Sequence, residues 1–231
     1  MPSANDHAHD LQLVREATER LLTATAKLDN AALAGASRLP GWTRGHVLAH
    51  VSRNADALVN VLAGRPMYVS AEARDADIER DAPRPLEAQL DDLRNSAARF
   101  VAQAAQPADW SRSVELRNGV MDRASRIPFR RLIEVELHHV DLGIGYELED
   151  LSAEFTEREI AFLTGRFSGN PAVPRIAVTA NDGRQWSTGG ADGDQVSVIG
   201  PAPALLGWLA GRRAGTELDC DAALLPVLPA L

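Results

Sequence analysis

Two pairs of residues in this chain have the types and spacing for chemistry. In Arg130–Tyr146, RRLIEVELHHVDLGIGY, Glu134 and His138 stand four apart, and in GHVLAHVSRN His46 and His50 do the same. Four residues is about one helical turn, so each pair projects from one face of its helix. A carboxylate and an imidazole inside an apolar helix are costly to bury unless they are paired or bound to a metal. Taken together, His50, Glu134 and His138 offer two imidazoles and one carboxylate. That is a donor set of catalytic zinc with an open fourth position, and equally of non-haem Fe(II). Spacing does not choose among His46, His50 and His139 as ligands. It also leaves standing the plainer reading, in which Glu134 and His138 are only a satisfied polar pair. Asp141, one turn beyond His138, is placed either to orient that imidazole from behind or to serve as a surface or capping acid.

These residues need helices to hold them. Leu132, Ile133, Val135, Leu137, Val140 and Leu142 spread around most of the central helix, which implies that it is largely buried. Pro128 suits its start, and Gly143 and Gly145 suit its end. Before it, the periodicity predicts a first helix over 6–28 and a connector over 29–41. A second helix follows, N-capped by Thr43 and running to about Ala63, and a third covers 86–105. His7 and His9 fall ahead of the first helix body as solvated residues. The charged stretch 67–85 reads as irregular or partly helical. Asn118-Gly119 marks a short hairpin inserted before the central helix. Four helices with one embellished crossover make a four-helix bundle. After Tyr146 come a helix at Glu154–Phe167 and three short strands in PRIAVTAND, GRQWSTGG and DQVSVIGP. Asn181-Asp182-Gly183 marks a hairpin and Gly189–Gly193 a looser turn. A last helix from Pro203 and a Leu-Pro-rich tail complete the pattern. The expected class is α+β, with a bundle over 1–150 and a small C-terminal α/β domain over 151–231.

Composition narrows the function. The 231 residues carry a net charge of −8 and a pI near 5.3, which argues against a nucleic-acid or membrane-surface partner. No apolar run approaches the ~20 residues of a membrane span. The opening MPSANDHAHD lacks the basic and apolar regions of a signal peptide, and the single Cys220 has no disulfide partner in the chain, so a cytoplasmic location is expected. Cys220 lies in ELDCDA, where flanking acids make a poor nucleophile. No glycine-rich phosphate loop opens a helix, and no Ser-His-Asp arrangement is legible. The cations are 23 Arg and one Lys, Lys27.

The blocks LPGWTRGHVLAHVSRNADAL, MYVSAEARDADIE, RLIEVELHHVDLGIGY and LLGWLAGR, spread over nearly the whole chain, resemble the mycothiol-dependent maleylpyruvate isomerases of the DinB-like metal-binding bundle superfamily. The first and third blocks are shared across that superfamily, whereas the second and the C-terminal module are more particular to the isomerase branch. The resemblance implies a DinB-like four-helix bundle with zinc, or another divalent metal, held by His50, Glu134 and His138. It implies a catalytic arginine at Arg212, with Arg213 adjacent, and a C-terminal domain that contributes to the active site. Tyr68, Arg74 and His46 become candidate contacts for substrate or thiol. The implied reaction is cis–trans isomerisation of maleylpyruvate to fumarylpyruvate by reversible addition of the mycothiol thiolate. The implied partners are a small dicarboxylate and mycothiol, with the protein a monomer or weak homo-oligomer. A mycothiol S-transferase using the same metal site is the alternative, and a bundle with a vestigial site acting as a binding module is a third reading.

Overall fold

The computed structural model of the chain describes residues 7–223 and 225–229. The first six residues, the expected start of the first helix at position 6 and the end of the Leu-Pro tail lie outside the described residues. The chain forms two compact units, Met1–Tyr146 and Glu147–Leu231.

The first unit is built on four long helices: α1 (His7–Thr25), α3 (Arg44–Leu62), α5 (Leu86–Ala104) and α6 (Ile127–Asp141), with shorter α2 (Asn30–Ala34) and α4 (Ala71–Asp81) between them. Helix α1 packs chiefly on α6 and α3 chiefly on α5, while α3 also meets α6 and α4. The stripe residues Leu21, Val47, Val51, Leu93, Phe100, Leu132 and Val135 are all buried, which makes the bundle core. Ion pairs tie the helices at its margin. Arg53 donates to Asp92 at 2.6 Å, and Arg99 to Asp56 at 2.7 Å, both between α3 and α5.

Local signals explain the boundaries. Thr43 caps α3, Ser70 caps α4, and Pro128 enters the first turn of α6, where its missing N–H costs nothing. Beyond α6, Gly143 and Gly145 adopt φ of 63° and 92°, left-handed values that turn the chain out of the helix. The predicted hairpin is present as β1 (Ser113–Glu115) and β2 (Met121–Arg123), paired antiparallel, with Asn118 and Gly119 both at positive φ.

Two expectations are corrected in this unit and a third is made definite. The connector over 29–41 contains α2, because Asp29 caps it by accepting from Ala32 N–H at 2.7 Å. The stretch 67–85, expected as irregular or partly helical, is helical over α4, because Ser70 caps it and Ile78 is buried. His7 and His9 lie within α1 rather than ahead of it, and His7 stacks on Trp110 with centroids 4.1 Å apart.

The second unit contains α7 (Ala153–Phe167), strands β3 (Ile176–Ala180), β4 (Gln185–Thr188) and β5 (Val196–Gly200), helix α8 (Ala202–Leu209) and strand β6 (Asp219–Cys220). The sheet order is β4-β3-β5-β6. The β3–β4 pair is the expected hairpin. The Gly189–Gly193 segment does more than turn: β5 pairs with β3 in parallel, so the chain crosses from one side of β3 to the other. The tail after α8 adds β6 to the β5 edge, a strand too short for periodicity to reveal. The helices and small mixed sheet make the chain α+β.

Gly45, in the first turn of α3, approaches the end of α4 so closely that a Cβ would lie 2.2 Å from the Ala82 carbonyl oxygen, which already accepts from Gln89. A backbone carbonyl cannot step aside as a flexible side chain does. Gly45→Ala is therefore expected to cost about 2 kcal/mol or more, read as a lowered thermal midpoint.

Candidate metal centre

The site is assembled where α3 faces α6. His50 enters from α3, and Glu134 and His138 from successive turns of α6. One donor atom from each of the three lies within 4.8 Å of the others. Glu134 Oε2 is 3.0 Å from His50 Nε2 and 3.3 Å from His138 Nε2. The two imidazoles meet edge to face with centroids 4.6 Å apart. The Glu134 side chain keeps 31% of its surface exposed, so the cluster opens on one side rather than being sealed in the core.

A second layer orients these groups. Asp141, fully buried, places Oδ2 2.8 Å from His138 Nδ1, which leaves Nε2 aimed at Glu134. On the other side, Arg74 Nη2 lies 3.2 Å from His50 Nδ1. A guanidinium only donates, so Nδ1 is the acceptor and the ring proton sits on Nε2, facing Glu134. Arg74 also pairs with Asp75 at 2.6 Å and lies 5.9 Å over the Tyr68 ring.

The electrostatics follow from these contacts. Burial would raise the Glu134 pKa, but bonds from His138 and His50 overcome it and hold the carboxyl well below its usual range. Burial would lower His138, yet bonds to Asp141 and Glu134 leave it above its ordinary 6.5. Burial dominates at His50 and pushes it down. Burial, with the Glu134 charge behind it, raises the Tyr68 phenol. At a pH above the lowered His50 value and below the raised His138 value, Glu134 and His138 are both ionised while His50 is neutral. In the metal-free protein their mutual stabilisation is lost as pH rises through the His138 value or falls through that of Glu134.

The arrangement fits a divalent cation. Two imidazole nitrogens and a carboxylate oxygen converge, and a carboxylate backs one imidazole, as around a zinc or non-haem iron ion. Of the histidines that spacing left open, His46 and His139 lie apart from this cluster. His46 completes the α3 cap, its Nδ1 accepting from Thr43 N–H at 3.2 Å in the place usually filled by Glu or Gln, and its Nε2 is 3.4 Å from Glu79. His139 lies on another face of α6, stacked on Tyr146 at 4.0 Å. In the second unit, Arg212 donates to the Ala210 carbonyl at 2.7 Å, while Arg213 forms a two-pronged pair with Glu149 at 2.6 and 2.7 Å.

One residue escaped the sequence reading. Arg131, one turn before Glu134, is wholly buried and donates to Val51 O and Asn54 Oδ1 on α3. Its position in the Arg130-Arg131 pair suggests an exposed helix start. The only available signal was its i,i+3 relation to Glu134.

The chain is thus a helical bundle with an inward His-Glu-His cluster that could hold a metal ion, joined to an α+β unit. The pattern of the mycothiol maleylpyruvate isomerase N-terminal domain matches residues 14–143, and that of the MDMPI C-terminal domain matches 150–226. The chain belongs to the mycothiol-dependent maleylpyruvate isomerase family of enzymes. It is 26% identical to a crystal structure described as the mycothiol-dependent maleylpyruvate isomerase, with 100% of each chain covered and a TM-score of 0.87. A histidine-to-alanine mutant of that isomerase gives the same values. No curated protein matches the chain in sequence.

Two outcomes are expected of metal binding. Asp141→Asn is expected to weaken affinity by about 10–100-fold, measured by chelator competition. A cation at Nε2 must displace the His138 proton, whose pKa is raised. Affinity is therefore expected to climb as pH rises through and above 6.5, with proton release visible as a buffer-dependent binding heat.

Proposed function

We propose that this chain is a metal- and mycothiol-dependent cis–trans isomerase that converts maleylpyruvate to fumarylpyruvate. The observation that carries the reading is the convergence of His50, Glu134 and His138 in a chain of this family. These three residues would hold a divalent cation, zinc being the best fit, which lowers the pKa of a thiol at the open position. Mycothiol supplies that thiol: added across the cis double bond it leaves a single bond that rotates, and its departure restores the double bond in the trans form.

The chain's own residues bind, orient and move protons. Asp141 holds the His138 Nδ1 proton and keeps the opposite nitrogen available. When His50 Nε2 is engaged, its ring proton belongs on Nδ1, which then no longer accepts from Arg74. The Arg74 guanidinium is thereby released to a carboxylate of the substrate, with the Tyr68 ring beside it. Addition to the conjugated double bond places negative charge on an enolate oxygen, and Arg212 is assigned to stabilise it. His46 serves the α3 cap and contributes to substrate binding only through the helix that carries His50. The location proposed is the cytoplasm, and the oligomeric state proposed is a monomer or weak homo-oligomer.

The test is an assay with maleylpyruvate, mycothiol and the metal-loaded protein. Fumarylpyruvate is expected to form only when thiol is present, with no net loss of thiol. Arg212→Ala is expected to keep the metal and lose most of the turnover. Stoichiometric consumption of thiol would instead identify an S-transferase, and no turnover with any electrophile would leave a binding module.

A further inference from the structure

Arg131 carries a charge in the core without enough partners for it. The residue has no exposed surface. Its Nη1 is satisfied by Val51 O at 2.8 Å and Asn54 Oδ1 at 2.9 Å. Its Nε and Nη2 have no hydrogen-bond partner. These two atoms form one edge of the guanidinium, and their parallel N–H groups match the two oxygens of a carboxylate. A buried charged donor left unmade is among the costlier features a fold can carry, and each such group calls for an acceptor.

Among the described residues, no carboxylate fills that edge. Glu134 and Asp56 are the acids close enough to act on Arg131 through their charge. Glu134 turns Oε2 to the two imidazoles, and Asp56 pairs with Arg99 and Arg53. Burial without a contacting anion pushes the Arg131 pKa down to about 10. Tyr68 is the remaining group in its field. The Tyr68 side chain also lines a cleft of about 560 Å³, together with Arg112 and Arg117. The cleft is thus open and cationic in part, and Tyr68 in its lining lies within electrostatic reach of both Arg131 and Glu134.

We propose that the Nε–Nη2 edge of Arg131 is a carboxylate-binding subsite one helical turn from the His50–Glu134–His138 cluster, entered from this cleft as the Tyr68 ring moves aside. The inference rests on the isomerase reading only in naming the natural ligand, a dicarboxylate. One carboxylate binds Arg131, and the double bond between the carboxylates extends toward the metal cluster. Arg131 is then the residue that recognises the far end of the substrate, and the reading explains why the core holds an arginine where Leu or Met would pack at lower cost.

The experiment titrates maleate into the metal-loaded protein by calorimetry, in wild type and in Arg131→Lys. Lysine keeps the cation and can still donate to Val51 O, but it presents no fork. With fold and metal content checked as unchanged, the variant is expected to bind maleate about tenfold or more weakly and to raise substrate KM more than it lowers kcat. Equal maleate affinity in the two proteins, or no maleate binding by wild type, would overturn the subsite. Should the variant fail to fold, the Arg131 Nε–H resonance of wild type decides: it is expected to shift on adding maleate, and a fixed resonance means the edge holds only water. Maleate binding that Arg131→Lys weakens, in a protein with no thiol-dependent turnover, would uphold the subsite and remove the isomerase reading.

Discussion

The carboxylate of Glu134, held between imidazoles from two different helices, is the constraint on which the rest of the first unit depends. Its Oε2 lies 3.0 Å from His50 Nε2 and 3.3 Å from His138 Nε2, so α3 and α6 must keep one register for the contact to survive. Apolar packing cannot enforce that register alone, because a core of Val, Leu and Ala tolerates small slides. Polar contacts at the same interface are directional and do enforce it. Arg131 bonds Val51 O and Asn54 from one turn before Glu134, and Arg44 Nε donates to the Leu142 carbonyl at 2.8 Å beyond the end of α6. The His50–Glu134–His138 cluster therefore sits between two fastenings of the same pair of helices.

Helix α6 carries a second polar network away from the site. Glu136, buried, accepts from Arg20 at 2.6 Å and from the Tyr146 hydroxyl at 2.9 Å, and His139 stacks on that tyrosine. Burial and the neighbouring Glu136 charge raise the Tyr146 phenol, which keeps it a donor throughout the working pH range. This network binds α1 and the segment after α6 to the helix that carries Glu134 and His138. The two faces of α6 thus divide the labour: one presents donors to the cluster, and the other anchors the helix that presents them.

Much of this was legible in the sequence, for a physical reason. Helical periodicity and the i,i+4 spacing of Glu134 and His138 are local properties, so the long helices and one face of the site follow from the chain alone. The choice among His46, His50 and His139 is not local. His46 and His50 share spacing and flanking residues, and only the cap geometry at Thr43 separates them. Arg131 was invisible because its partners, Val51 and Asn54, lie about 80 residues away in sequence. Helix α4 was only half seen because its charges mask a single buried anchor, Ile78. The crossover that sets β5 beside β3 depends on a strand order that turn residues at Gly189 and Gly193 do not encode.

The central claim is that α3 and α6 together form a divalent-metal site from His50, Glu134 and His138. X-ray absorption at the metal edge of the purified protein tests it most directly. The account expects one metal per chain with two imidazoles and at least one carboxylate oxygen in its first shell, and loss of that signal in His50→Ala without loss of the helical spectrum. A protein that takes up no metal after reconstitution, or a His50→Ala variant with an unchanged metal environment, would contradict it and reduce the Glu134–His138 pair to a buried ion pair of the bundle.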